Sequence, residues 1–352
     1  MRKLTFAQAT LEAMAEEMKK DDKVYVIGED IARQGGVFGQ FKGLSQEFPG
    51  RVIDSPISET FIIGGGVGAA MVGARPVVDM HFADFVGVCM DEILNQMAKA
   101  RYMFGGQTKV PLVMRAPDGM TFGGAAQHSQ SLEAFFIHIP GVVVVTPSNP
   151  YDAKMVLKAA IESDDPVLYF ENKILYKEKG EMPELADEEP YTIGKAKVVR
   201  PGKDVTIVSY SIGMKAAKGA AELLAKDGIE AEVIDLITLS PWDRETVFES
   251  VKKTHRLCIC HEAVKQGGVG AEIAAVAAEE LLTELDAPSV EEYRDAGYLS
   301  DAFVNYLALL TELDAPVLRF GAPFCPIPFA KSLEDMVRIT PEKVAEGIKG
   351  MF

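Results

Sequence analysis

Short apolar runs alternate with longer amphipathic stretches through the first half of the chain. Val24 to Gly28, Pro76 to Met80, Val110 to Arg115, Val142 to Pro147 and Val167 to Glu171 read as strands, and the segments between them carry apolar residues at helical spacing. This alternation predicts an α/β layer built on a parallel sheet. From Lys173 to Pro201 the pattern gives way to a polar, acidic, proline-containing segment, expected to pack poorly and to connect two domains. A second α/β period follows, with strands at Val205 to Tyr210, Ala231 to Leu236 and Arg256 to His261, a helix from Gly213 to Asp227 and another opening at Gly268. The expected division is therefore 1–185, a linker at 186–200, and 201–352.

One feature interrupts the second period. Leu-Leu-Thr-Glu-Leu-Asp-Ala-Pro occurs at 281–288 and again at 309–316, 28 residues later. Two copies do not make a solenoid, which needs at least three stacked units. The arrangement reads as a 28-residue insertion at about 289–316 with a duplicated edge. Ser289 and Glu292 form a capping-box pattern, Gly297 is a helix stop and Ser300-Asp301 can start a second helix, so a surface helical hairpin is expected. The stretch 291–310 is similar to a helical segment of bacterial glutamyl-tRNA synthetases, without that family's nucleotide-binding signatures, and implies no synthetase activity.

Composition narrows the function classes. The net charge of −16, with no Lys/Arg run longer than a pair, argues against nucleic-acid or anionic-membrane surfaces, which need clustered positive charge. No apolar stretch approaches membrane-spanning length, and the N-terminal residues lead into an amphipathic helix rather than a signal core, so a cytoplasmic location is expected. Cys89, Cys258, Cys260 and Cys325 lack zinc-site spacing and read as buried, reduced thiols.

Few residues stand out as chemistry. Glu59 ends Asp54-Ser-Pro-Ile-Ser-Glu and precedes a glycine-rich helix start, Ile62 to Ala70, at a strand–helix junction of the kind where α/β proteins bind ligands. The plainer reading is a carboxylate that complements a helix dipole. Gly64-Gly-Gly-Val-Gly68 lacks the third glycine of a dinucleotide fingerprint. His128 lies in the polar loop Gln127-His-Ser-Gln130 after Gly123-Gly124, where an imidazole can exchange protons near neutral pH. Of the other histidines, His81 beside an aromatic pair is the one suited to share a site with it. No serine-hydrolase elbow, zinc-helix motif or Walker sequence is present.

Six motifs follow one another in order: Gly28-Glu-Asp30, Asp54-Ser-Pro-Ile-Ser-Glu59, Phe82-Ala-Asp-Phe85, Arg101-Tyr-Met-Phe-Gly-Gly106, Ala125-Ala-Gln-His-Ser-Gln130 and Pro147-Ser-Asn-Pro-Tyr-Asp-Ala-Lys154. In these the chain resembles the β subunits of thiamine diphosphate-dependent 2-oxo acid dehydrogenase first components, those of pyruvate, branched-chain and acetoin dehydrogenase complexes. The resemblance covers everything but the insertion. It implies a transketolase-like domain over 1–185 that holds the cofactor's aminopyrimidine, and a transketolase C-terminal-like domain after it. The diphosphate and Mg²⁺ would be held by a separate α subunit, in keeping with the lack of a Gly-Asp-Gly motif in this sequence.

The resemblance also implies roles. Glu59 matches the glutamate that hydrogen-bonds N1′ of the aminopyrimidine and so activates the thiazolium C2 proton. Phe85 matches an aromatic residue packed on the pyrimidine, with His81 and Glu29 as neighbouring cofactor contacts. His128 matches a histidine that faces the bound intermediate, stabilising an oxyanion or moving protons during acyl transfer to lipoamide. A structural K⁺ is implied at Leu112, Ala160, Ile161, Ser163 and Asp165. The implied assembly is an α2β2 heterotetramer docked on a lipoyl acyltransferase core through the domain that carries the insertion. From sequence the insertion is open to three readings, a harmless surface element, a block to docking or an accident of the gene that folds badly, and a tolerated surface hairpin is the one expected. The motifs around Arg101 and His128 look closer to acetoin and pyruvate members than to branched-chain ones. Two other readings stay open from sequence: a single-chain transketolase-like enzyme, and a non-catalytic scaffold.

Overall fold

A computed structural model of the protein describes residues 2–121, 123–283, 317–322 and 335–352. The insertion at 289–316, with its expected helical hairpin, lies outside the described residues, as does Cys325. The described residues form two compact units, 2–195 with 237–241, and 196–236 with 242–283, 317–322 and 335–352.

In the first unit β1 (Arg2–Thr5) runs into α1 (Phe6–Lys20). Thr5 Oγ1 accepts from Gln8 N at 3.2 Å and Gln8 Oε1 accepts from Thr5 N at 2.9 Å, a reciprocal cap that fixes where the helix starts. Phe6, Ala9, Ala13, Met14 and Met18 recur on its buried face. The chain continues through β2 (Val24–Gly28), α2 (Leu44–Glu47), β3 (Val52–Asp54), α3 (Glu59–Met71), β4 (Arg75–Asp79), α4 (Ala100–Met103), β5 (Val113–Asp118), α5 (Glu133–Ile137), β6 (Val143–Val145), α6 (Pro150–Glu162), β7 (Val167–Asn172) and β8 (Lys179–Met182). Seven strands form the main sheet in the order β12–β6–β7–β5–β4–β2–β3, where β12 is Thr238–Ser240. Every pair in it is parallel except β12–β6. Parallel strands carry helices on both faces, so they are buried and apolar throughout; β5 and β7 have no exposed residue. The glycines of α3 serve this packing. A Cβ on Gly66 would sit 2.8 Å from the side chains of Val78 and Leu112, so only glycine lets the helix lie this close to the sheet.

The second unit holds β9 (Lys197–Arg200), β10 (Val205–Ser209), α7 (Gly213–Ala225), β11 (Ala231–Asp235), α8 (Arg244–Thr254), β13 (Leu257–Val264), α9 (Val269–Thr283), β14 (Leu318–Ala322) and α10 (Pro341–Lys349). Its sheet order is β14–β13–β10–β11–β9, parallel except for β9. Alanines 216, 217, 220 and 221 let α7 pack closely, and Cys258 and Cys260 are buried free thiols in this core.

The acidic stretch after Lys173 is not the loose segment its composition suggests. Leu175 and Tyr176 are buried, β8 pairs antiparallel with β1, and Glu188 folds back to accept from the buried Lys154 Nζ at 2.6 Å. Lys197–Arg200 then joins the second sheet as an edge strand. Pairing with residues far away in sequence supplies the order, and no local pattern reports it.

Candidate active site

The parallel register brings the candidate residues to one edge of the first unit. Gly28 lies opposite Asp54 and Asp79, Asp79 opposite Arg115, and Asp118 opposite Asn172, so β2, β3, β4, β5 and β7 all end on the same side of the sheet. Their following loops carry Glu29, Glu59, His81 with Phe82 and Phe85, and His128. The carboxyl edge of a parallel sheet is where such folds bind ligands.

Glu59 is the first residue of α3, after an extended Ser58 whose hydroxyl makes no capping bond. Among the described residues its carboxylate has no hydrogen-bond or ion-pair partner. It is thus an open acceptor at a helix N-terminus, where negative charge is favoured. Glu29, just past β2, is buried, and its Oε1 has no partner among the described residues. Burial pushes its carboxyl pKa up, and the charges of Glu59 and Asp30 push it further.

His81 sits at φ 62°. Its backbone N donates to Asp79 Oδ2 at 3.2 Å, which stabilises the turn, and its buried Nδ1 has no partner among the described residues. Burial lowers its pKa against the opposing charge of Asp30. The turn delivers Phe82 and Phe85, with ring centroids 5.9 Å apart, and α3 packs on the helical turn 83–89 that carries Phe85. The His128 ring stands edge-on to both, 4.8 Å from Phe82 at 90° and 5.6 Å from Phe85 at 87°. The loop carrying it is tight: a Cβ on Gly124 would fall 2.6 Å from Thr121 Cγ2 and 2.8 Å from Ser129 Oγ.

Several residues of this edge are not singled out by sequence reasoning. Phe82 is the hub of the aromatic group, and the Lys173 ammonium lies 5.5 Å from its ring centroid. Asp79, fully buried beneath the His81 turn, has its pKa raised from 3.8 to about 7, by burial first and Glu171 next, with Arg115 opposing. A carboxyl pKa raised by folding gives stability that is full below about 4 and lost as pH rises through 7. Asp79→Asn is therefore expected to flatten the loss of stability between pH 4 and 7; denaturant midpoints across that range check it, and an unaltered slope refutes it.

The oxygens implied for potassium are engaged by protein donors. Leu112 O accepts from Val167 N at 2.9 Å, Ala160 O from Ser163 N at 3.3 Å, and Asp165 O from Ser163 Oγ at 3.1 Å. Arg75 NH1 donates to Ile161 O at 3.0 Å and to Ser163 O at 2.9 Å. Each of these oxygens thus accepts a bond from a protein donor, two of them from the Arg75 guanidinium.

Comparison with known proteins sets this geometry in a class. Residues 2–179 match the transketolase pyrimidine binding domain and 194–294 the transketolase C-terminal domain. A split-gene transketolase solved as an inactive β4 tetramer shares the fold, with a TM-score of 0.74 at 23% identity over 99% of this chain and 98% of that one. The chain is 43% identical to the acetoin:2,6-dichlorophenolindophenol oxidoreductase β subunit of Bacillus subtilis, over 97% of this chain and 95% of that one. It is 40% identical to the 2-oxoisovalerate dehydrogenase β subunit of the same organism, over 99% and 98%. The chain belongs to the family of acetoin and 2-oxo acid dehydrogenase β subunits, the thiamine-dependent oxidoreductase components built on these two domains. Among the described residues no helix is long and apolar enough to cross a membrane.

Proposed function

We propose that this chain supplies the pyrimidine-binding half of a thiamine diphosphate site whose diphosphate and Mg²⁺ are held by an α subunit, in an α2β2 acetoin or 2-oxo acid dehydrogenase that passes its acyl group to a lipoyl acyltransferase core. One observation carries the reading: a Glu59 carboxylate with no hydrogen-bond or ion-pair partner among the described residues and a His128 ring wedged against Phe82 and Phe85 are delivered to the same sheet edge. Bound thiamine diphosphate supplies a carbon nucleophile and an electron sink for cleaving the bond beside the substrate carbonyl.

This chain's residues fit the aminopyrimidine end of that group. Glu59 accepts a hydrogen bond from a protonated ring nitrogen at the start of α3. Phe85 offers an apolar ring face, and the unpaired Glu29 Oε1 and His81 Nδ1 are buried polar atoms that a ligand or its ordered water would satisfy. His128 would donate to the oxygen on which charge develops at the reacting carbonyl, and take the proton back when that oxygen, as a hydroxyl, becomes a carbonyl again. No Gly-Asp-Gly segment for a metal-bound diphosphate occurs in the sequence, which supports a shared site. Potassium is left out of this reading because Arg75 occupies two of its carbonyls.

Calorimetric titration of thiamine diphosphate with Mg²⁺ into this chain, alone and mixed with an α subunit, is the direct test. Binding is expected in the mixture only. Micromolar binding to the chain alone would overturn the shared site.

A further inference from the structure

The His128 loop ends in an arrangement that the roles above do not use. Gln130 closes the loop with three bonds. Its carbonyl accepts from Gly119 N at 2.9 Å, and both its backbone N and its side-chain Nε2 donate to a single oxygen, Asp84 Oδ1, at 3.1 and 2.9 Å. Asp84 belongs to the helical turn 83–89 and is flanked by Ala83 and Phe85. The carboxylate thus ties the loop that carries His128, two residues before Gln130, to the turn that carries one of the rings His128 leans on. Within the loop, Gly124 N donates to Thr121 O and His128 N to Ala125 O, at 3.2 and 3.4 Å, turns that shape the loop without anchoring it to another element.

We infer that Asp84 is a positioning residue for catalysis: by holding Gln130 through one oxygen it sets the His128 imidazole in the notch between Phe82 and Phe85. The inference rests on the proposed role of His128 and adds the group that places it. A ring edge-on to two aromatics is held by contacts that fade over a fraction of an ångström, so releasing the loop end lets the imidazole leave the notch. Misplacing a catalytic group by about 1 Å costs on the order of 10²-fold in rate.

The second oxygen, Asp84 Oδ2, is buried and has no partner among the described residues. The clamp therefore needs one acceptor and not the charge. Asn at this position keeps an acceptor oxygen for both Gln130 donors, whereas Ala removes it.

The test uses the full chain assembled with an α subunit. Asp84→Ala, Asp84→Asn, His128→Ala and the double variant Asp84→Ala/His128→Ala are compared in acyl-transfer turnover and by NMR of ¹³C-labelled histidine. The His128 ring protons of the parent should carry upfield ring-current shifts, assigned by their loss in His128→Ala. Asp84→Ala is expected to abolish those shifts and lower kcat about 10²-fold with KM nearly unchanged. The double variant should be no slower than His128→Ala, and Asp84→Asn should keep both the shifts and the rate. Shifts retained in Asp84→Ala, or lost equally in Asp84→Asn, would overturn the clamp whatever the rates. Full activity of His128→Ala would instead overturn the proposed role of His128, and the ring shifts would still decide whether Asp84 places the ring.

Discussion

Glu59→Gln is expected to slow exchange of the thiamine diphosphate C2 proton in the α/β complex by about 10²–10⁴-fold, the range for loss of a positioned acid–base group. The amide keeps the shape of the side chain and its place as the first residue of α3, so assembly and cofactor binding should persist. What it removes is an anionic acceptor with no competing partner among the described residues. The same carboxylate acts at a distance, because its charge raises the Glu29 pKa. Neutralising it should therefore bring Glu29 back toward ordinary carboxylate behaviour, while burial still holds it up. Hydrogen–deuterium exchange at C2 after rapid quench reads the step directly and is independent of substrate. Exchange at the parent rate would end the assignment of Glu59, and loss of α/β assembly would show that the helix start depends on its charge.

The second large effect lies beneath the site. Arg115 and Glu171 are both fully buried, joined by Arg115 Nε to Oε2 at 2.9 Å and NH2 to Oε1 at 2.8 Å. NH2 also reaches Thr10 Oγ1 at 3.2 Å, and the guanidinium lies 4.7 Å from the Phe41 ring centroid. Burial works against the arginine's charge, but Glu171 outweighs it and raises its pKa overall. Glu171→Ala would leave a cation in a dry interior, a change that costs about 3–5 kcal/mol. Asp79 limits the damage, because Glu171 is one of the groups keeping it protonated; with Glu171 gone, Asp79 ionises more readily and partly replaces it. A loss near 3 kcal/mol is therefore expected, a fall in unfolding midpoint of roughly 6–12 °C at 2–4 °C per kcal/mol. A midpoint within a degree or two of the parent would show that the pair is not needed. Glu171→Ala combined with Asp79→Asn should be worse than the sum of the two, since each removes the other's substitute.

Much of the fold could be read from local pattern. Val24–Gly28 is the strand expected, and the strands at 75–79, 113–118, 167–172, 205–209 and 231–235 lie within three residues of their expected places at each end. Parallel strands buried on both faces must be continuous apolar runs, and helix caps are written in adjacent residues, so both leave a one-dimensional trace. Glu59 and His128 could also be picked out, since each stands in a short polar motif beside glycine.

Tertiary structure decided what depends on distant pairing. Thr238–Ser240 is too short to show a period, yet it joins the sheet of the first unit beside β6. The acidic segment after Lys173 owes its order to β1 and Lys154. Arg115 reads in sequence as the polar end of a strand and is instead a buried cation, because Glu171 stands on the neighbouring strand. Phe82 and Asp84 gain their roles when the loops after β4 and β5 meet, about forty-five residues apart in the chain. By itself, then, the sequence determined the elements, the two α/β periods and the chemical identity of Glu59 and His128. The fold decided which side chains stand around them, because burial, charge pairing and ring contact are properties of neighbours in space.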